Sequence, residues 1–241
     1  MAGLIAVRHS EHSPTAFERW WQIRGEWVEA PNQRRGGESG VQRVRDKNHK
    51  LLYIKRQTGH LYRSWRHPLG RPTVLREQQA MQALSKLGIH VPRLVYCEAQ
   101  KDAGQWRALL VSEALEGFVS LDDWYASGEP QRDGGELNRN MLQQLSIMLS
   151  RLHRAAWQHG CLYPKHIFIK RHQTADGDWA EVALLDLEKS RRRLLSVTAS
   201  RRDLQQLYRH KGAMPEGDWQ LLINSYNCFI RAVEPYSHDE I

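Results

Sequence analysis

The run His159-Gly160-Cys161-Leu162-Tyr163-Pro164-Lys165-His166-Ile167-Phe168, with Leu184-Leu185-Asp186-Leu187-Glu188 shortly after it, constrains this chain more than any other stretch. Ahead of it, residues 137–158 place Leu142, Leu145, Leu149 and Leu152 at the spacing of a long amphipathic helix. Behind it, residues 167–170 and 182–187 read as short strands around a polar turn at 173–178. The order is therefore helix, polar loop, strand, turn, and a strand that ends on Asp186. A carboxylate at the end of an apolar strand is costly unless it binds metal or is well hydrogen-bonded. The pattern predicts a metal-binding Asp186 beside the loop, against the plainer reading of a strand-end turn residue.

The chain has 241 residues, enough for one large domain or two lobes sharing a cleft. A hydrophobic share of 41%, with 9% aromatic, supports a packed core rather than disorder. The net charge of +8 favours anionic partners: nucleotides, phosphorylated sugars, nucleic acid or an anionic leaflet. Cys97, Cys161 and Cys228 are far apart and form no C-x-x-C pair. That argues against disulfides and a thiolate zinc site, and fits a reducing cytoplasm. Residues 1–24 lack an apolar signal region, and no stretch approaches the ~20 apolar residues of a membrane span. Any membrane substrate is expected to be met from the water side.

Residues 13–21 predict a short helix, capped by Ser13 with Pro14 at its first position. Strands are expected at 26–30, 41–45 and 50–56, with a glycine-rich turn at 34–40 and a polar turn at 46–49. Residues 57–72 read as an irregular basic insert. Residues 73–87 form a helix that buries Val74, Met81, Leu84 and Leu87, closed by Gly88. An extended segment at 91–98 and a buried strand at 106–113 follow, and Ser120 starts a helix. Residues 128–135 are the most loop-like, and 200–233 are helical, with Pro215 opening a new segment.

Binding a nucleoside triphosphate takes backbone amides, a lysine and metal ions to hold the phosphate charge. Gly36, Gly37 and Gly40, with Ser39 among them, would let backbone approach phosphate oxygens; the alternative is an ordinary hairpin loop. Lys55 ends an apolar strand 15 residues after Gly40, and Glu77 lies early in the next helix. Each alone is a plain surface residue, but together their order makes Glu77 the partner that positions Lys55. Glu113-Ala114-Leu115 follows the buried strand, where Glu113 and Leu115 would present backbone groups to an adenine. The loop matches the protein-kinase pattern H-R-D-x-x-x-x-N, with D-F-G downstream, in His159 and Asp186. Cys161 stands at the place of the catalytic aspartate, and His166 at that of the asparagine. His166 is read as a metal ligand or as a residue that holds the loop, and magnesium's preference for oxygen favours the second. Asp203 either accepts hydrogen bonds from the loop backbone or is an acid at a helix N-terminus. Basic clusters at Arg63, Arg66, His67 and Arg71, and at Lys189, Arg191, Arg192 and Arg193, would suit a phosphorylated or acidic acceptor or a solvated face.

On these residues the chain resembles the lipopolysaccharide kinase (Kdo/WaaP) family, and in particular its small InaA-type members. The resemblance is carried by residues 35–41, Lys55, Arg76-Glu77, residues 159–168 and Asp186-Leu187, and spans about residues 26–205. It implies an α+β, eukaryotic-protein-kinase-like two-lobed fold, with a small β-rich N-lobe at about 1–112 and a helical C-lobe at about 113–241, as a single domain. It implies ATP and magnesium as cofactors, with Lys55 on the phosphates, Glu77 paired to Lys55, and Asp186 on the metal. A histidine at position 166 is in keeping with the family, while Cys161 and Glu188 depart from the general kinase motif.

The expected function is an ATP- and magnesium-dependent kinase acting on heptose or Kdo of the lipopolysaccharide inner core. It would work in the cytoplasm, with peripheral contact at the cytoplasmic face of the inner membrane. The alternative is a pseudokinase with a regulatory or scaffold role in envelope or stress biology. Reduced activity, a base from elsewhere and loss of catalysis all remain open for Cys161. A Cys161–His159 nucleophile is disfavoured, because residues two apart rarely face each other well. No nucleic acid partner is expected, since no helix-turn-helix, RRM or zinc pattern occurs.

Overall fold

A computed structural model describes residues 13–34, 36–175 and 177–231; Arg35, at the glycine-rich turn, and the chain beyond 231 lie outside the described residues. The N-terminal half is an antiparallel sheet of five strands in the order β1-β2-β3-β7-β6. Its strands are β1 Glu26–Arg34, β2 Gly37–Arg45, β3 Leu51–Thr58, β6 Leu94–Asp102 and β7 Gln105–Glu113. β3 is central, and Lys55 pairs with Val41 on one side and Leu110 on the other. Helix α1, Ala16–Gln22, packs its Phe17 with Leu52, Ile54, Leu109 and Val111 into a small core above the sheet. The expected cap at Ser13 is displaced to Thr15: its hydroxyl accepts from Glu18 N at 3.2 Å, and the Glu18 carboxylate accepts from Thr15 N at 2.8 Å. This capping box satisfies two helix-end donors at once.

The expected irregular insert is ordered. β3 runs on to Thr58, and β4 Leu61–Ser64 pairs with β5 His67–Pro72 as a separate hairpin. Pro68 and Pro72 lack the amide that a place in the main sheet would need, so the hairpin stands apart. Helix α2, Thr73–Lys86, then buries Val74, Glu77, Met81 and Leu84.

The C-terminal half is organised around α4, Glu136–Arg154, whose Met141, Leu142, Leu145, Leu149 and Leu152 are fully buried. Burying each such side chain contributes roughly 1.5–3 kcal/mol. They meet Leu222 and Tyr226 of the C-terminal helix and Ile167, Ile169 and Leu184 from the strands that follow the loop. Between the halves lie β8, Val119–Ser120, and α3, Leu121–Ala126, capped by Ser120 as expected. The expected loop at 128–135 is a 3-10 helix over Glu129–Gly135. α4 stops at Arg154, short of Gln158, because Ala156 turns to φ 57° and β9, Trp157–Gln158, begins.

β10 Ile167–Thr174 and β11 Gly177–Leu184 form the predicted hairpin, and β12 Arg191–Arg192 pairs with β9. α5 Ser196–Arg209 and α6 Glu216–Arg231 close the described chain. The architecture is α+β, a β-rich N-lobe on a helical C-lobe. No helix among the described residues is long and apolar enough to cross a membrane.

Candidate active site

The loop between α4 and β10 owes its shape to Asp203, which projects from the third turn of α5 and is fully buried. Its two oxygens accept from His159 N at 2.6 Å and Gly160 N at 3.0 Å. His153 Nε2 lies 3.3 Å from the same carboxylate, and Gln206, one turn on, accepts from Leu162 N at 2.8 Å. Because α5 begins at Ser196, Asp203 is too far along it to act on the helix dipole, and the loop-holding role of the two readings is the one observed.

His159 is buried in this loop, with Nδ1 accepting from Cys161 N at 3.2 Å and Nε2 against Leu185 O at 3.0 Å. The first contact leaves no room for a second ring proton. Burial holds the imidazole down at about 4, against the opposing pull of Asp203. Its folded value is therefore below the ordinary 6.5, so the unfolded chain binds a proton that the fold excludes. Stability is expected to fall as pH drops from about 6.5 to about 4, by roughly 3 kcal/mol from this residue. Urea unfolding at pH 7 and pH 4.5, compared between wild type and His159→Gln, measures it; an unchanged pH slope in the variant refutes the assignment.

His166 closes the loop by donating from Nδ1 to Cys161 O at 2.8 Å. Its Nε2 lies 3.6 Å from an oxygen of Asp186. Asp186 itself adopts φ 58° and ψ 62°, an uncommon conformation for a residue with a side chain. The ring nitrogen away from Asp186 is the one held by a backbone carbonyl. His166 thus holds the loop, the second of its two readings, and sets its free ring edge towards Asp186. Cys161 is nearly fully buried beside Lys189. Burial first, and the Asp186 carboxylate next, push its thiol up, so it is neutral at pH 7. His159 Nδ1 faces the Cys161 amide, which removes the nucleophile pairing considered above.

Across the cleft, Lys55 Nζ donates to Glu77 at 2.8 Å, joining the central strand to α2 as the order of the motifs predicts. It also donates at 2.9 Å to Glu188, the residue that departs from the glycine of the general kinase motif. His60 Nε2 lies 3.5 Å from Glu188, and Arg76 Nε donates to the Glu188 carbonyl at 2.6 Å. Burial alone would lower the Lys55 ammonium, but the carboxylates of Glu77, Glu188 and Asp186 hold it above its usual value.

The remaining predicted residues divide. Gly36 turns at φ 72°, the left-handed region that glycine enters without strain. A side chain at Gly37 would meet the Gly59 backbone at 2.2 Å, and one at Gly40 the Trp27 ring at 2.8 Å, so both glycines are required by the sheet itself. Ser39 pairs across from Gln57 on the strand face that carries Lys55. The Glu113 side chain turns to Arg93 and to Lys50 at 3.2 Å, and the Arg93 hydrogen bond holds its carboxyl down at about 2. Glu113 N donates to Arg93 O and Ala114 N to Leu51 O, both at 2.9 Å, so these two amides serve the fold. Ser112 precedes them, and behind it a cavity of about 20 Å³ reaches Glu77, Leu110 and Asp186.

A sheet lysine paired to a helix acid, facing an aspartate beyond a loop pinned from a C-lobe helix, places the molecule among proteins of the protein-kinase-like fold. The family's sequence model, described as lipopolysaccharide kinase (Kdo/WaaP) family, matches residues 18–226, and the chain belongs to that family. It is 44% identical over 204 residues to "Protein InaA" of Escherichia coli (strain K12), covering 85% of this chain and 92% of that protein. A solved structure, "WaaP in complex with acyl carrier protein", shares the fold with a TM-score of 0.66 at 19% identity, covering 88% of this chain and 82% of that one. "EKC/KEOPS complex subunit bud32" of Emericella nidulans is 29% identical over 133 residues, 46% of this chain and 47% of that protein.

Proposed function

We propose that the chain is an ATP- and magnesium-dependent kinase that phosphorylates a sugar, heptose or Kdo, of the lipopolysaccharide inner core. The observation that carries this reading is the buried Lys55–Glu77 pair, set across the cleft from Asp186. Lys55 would orient the nucleotide phosphates, with Glu77 fixing it in place. Leu115 would meet the base through its amide and Glu113 through its carbonyl, since the Glu113 amide is bound to Arg93 and the Leu115 carbonyl accepts from Phe118. Asp186, with His166 Nε2, would hold magnesium. Among the described residues no three His, Cys, Asp or Glu side chains are arranged to hold a metal, so phosphate oxygens and water would complete its shell, as magnesium commonly requires. Bound magnesium supplies positive charge to the phosphates. The chain's own part is positioning, which dominates in phosphoryl transfer. In this reading the residues form one domain, lobes dividing near residue 112, working at the cytoplasmic face of the inner membrane.

The second reading, a pseudokinase, is favoured by a specific pair of observations: Cys161 carries a neutral buried thiol, and Glu188 occupies Lys55. Glu188 puts a negative charge where a phosphate would meet the lysine. Glu188→Gln is therefore expected to tighten binding of magnesium–ADP by about tenfold, the worth of one charge-assisted bond. Lys55→Met is expected to abolish it. Titration calorimetry with and without magnesium decides: wild type that binds no nucleotide sinks the kinase proposal, while looser binding in Glu188→Gln that appears only with magnesium would reassign Glu188 to the metal.

A further inference from the structure

We propose that the β4–β5 hairpin and the segment running from Lys189 into α5 form a docking face for an anionic lipid bilayer. Residues 57–76 carry four arginines, and residues 189–202 carry six lysines and arginines; neither stretch contains an aspartate or glutamate. These ten charges exceed the net charge of the whole chain, +8, so elsewhere acidic residues outnumber basic ones. The positive excess is concentrated, not spread.

The same two stretches hold the five most exposed large hydrophobic side chains among the described residues. Trp65, Leu69, Leu194, Leu195 and Val197 are 66 to 101% exposed, and the next, Val28, is 50%. Exposed arginines flank them: Arg63 and Arg66 on the hairpin, Arg191, Arg192, Arg201 and Arg202 on the other segment. The Arg66 guanidinium sits 4.8 Å over the Trp65 ring. The two stretches meet at the cleft. Arg76 lies 4.6 Å over the Tyr62 ring of β4 and holds the Glu188 carbonyl, one residue before the second stretch begins.

Apolar side chains held in water between arginines match what a membrane interface takes. Leucine, valine and tryptophan enter the boundary between headgroups and acyl chains while guanidinium groups meet lipid phosphates. A nucleic-acid surface would use the charge but would call for stacking rings where Leu194, Leu195 and Val197 stand. The inference goes beyond the reading of the cleft and holds whichever acceptor the cleft takes.

Sedimentation of the full chain with phosphatidylglycerol–phosphatidylcholine vesicles at physiological salt tests it. Binding is expected to the anionic vesicles and not to phosphatidylcholine alone. Leu194→Ser with Leu195→Ser, which leaves charge unchanged, is expected to weaken binding about tenfold. Arg191→Gln with Arg192→Gln is expected to weaken it by a similar factor. Brominated acyl chains should quench tryptophan emission in wild type and much less in Trp65→Ala. All these positions are exposed, so an unchanged melting temperature verifies folding. No vesicle binding overturns the proposal. So does equal binding by the leucine double variant.

Discussion

Asp203→Ala is expected to lower the unfolding free energy by about 3–5 kcal/mol, the cost of breaking a buried charged network from one side. The carboxylate has no exposure, and its two oxygens take the His159 and Gly160 amides at 2.6 and 3.0 Å. Alanine leaves both amides and the His153 ring nitrogen facing a void, and each unsatisfied buried donor costs roughly 1–3 kcal/mol. Asparagine keeps one acceptor but turns an NH2 towards the other amide, so Asp203→Asn should fall between wild type and alanine. Urea denaturation measures both. The loop is also freed, so nucleotide binding through Lys55 should survive in the folded fraction while phosphate transfer is lost. A loss under about 1 kcal/mol for alanine would show that the loop keeps its shape without Asp203.

Much of the cleft was legible because its residues sit on strongly periodic elements. Lys55 lies on an alternating strand, Glu77 lies early in a helix with a clear apolar face, and Asp186 follows an apolar run, so their order alone predicts the Lys55–Glu77 pair, which the structure contains at 2.8 Å. Asp203 stayed ambiguous because its meaning depends on where α5 starts. A start near residue 200 makes it a cap-region acid, and the actual start at Ser196 sends it inward.

What escaped the sequence depends on contacts between distant residues. Glu188 reaches Lys55 across 133 positions, and nothing in the local pattern around either one announces it. Gly37 needs no side chain because Gly59 lies against it, again a fact of the fold. The stretch 57–72 reads as an irregular insert because the prolines and arginines of its hairpin hide the alternation that marks a strand, and such residues are tolerated where no third strand must pair. Helix and strand ends moved by a few residues for the same reason: caps such as Thr15–Glu18 depend on which of several suitable side chains finds a partner.

Cys161→Asp is expected to raise phosphate transfer to dephosphorylated core oligosaccharide by about 10²-fold, the lower end of what a positioned general base contributes. The lower end applies because a loose transition state asks little of a base before the bond to the leaving group has broken. The native thiol is neutral and buried, so it takes no proton from an acceptor hydroxyl. A carboxylate at this position meets the nearby Lys189, and that ammonium offsets the repulsion from Asp186. The gain therefore does not require the rest of the cleft to move. Asp186→Asn in the same background should return transfer to baseline, because it removes the carboxylate that would carry magnesium. Cys161→Ala should match wild type in both nucleotide affinity and transfer, since a neutral thiol contributes little to either. If Cys161→Asp keeps its melting temperature and its nucleotide affinity but transfers no more phosphate than wild type, position 161 is not a simple vacancy. The buried thiol and the Glu188–Lys55 pair would then be parts of a molecule built to hold the kinase fold without the reaction.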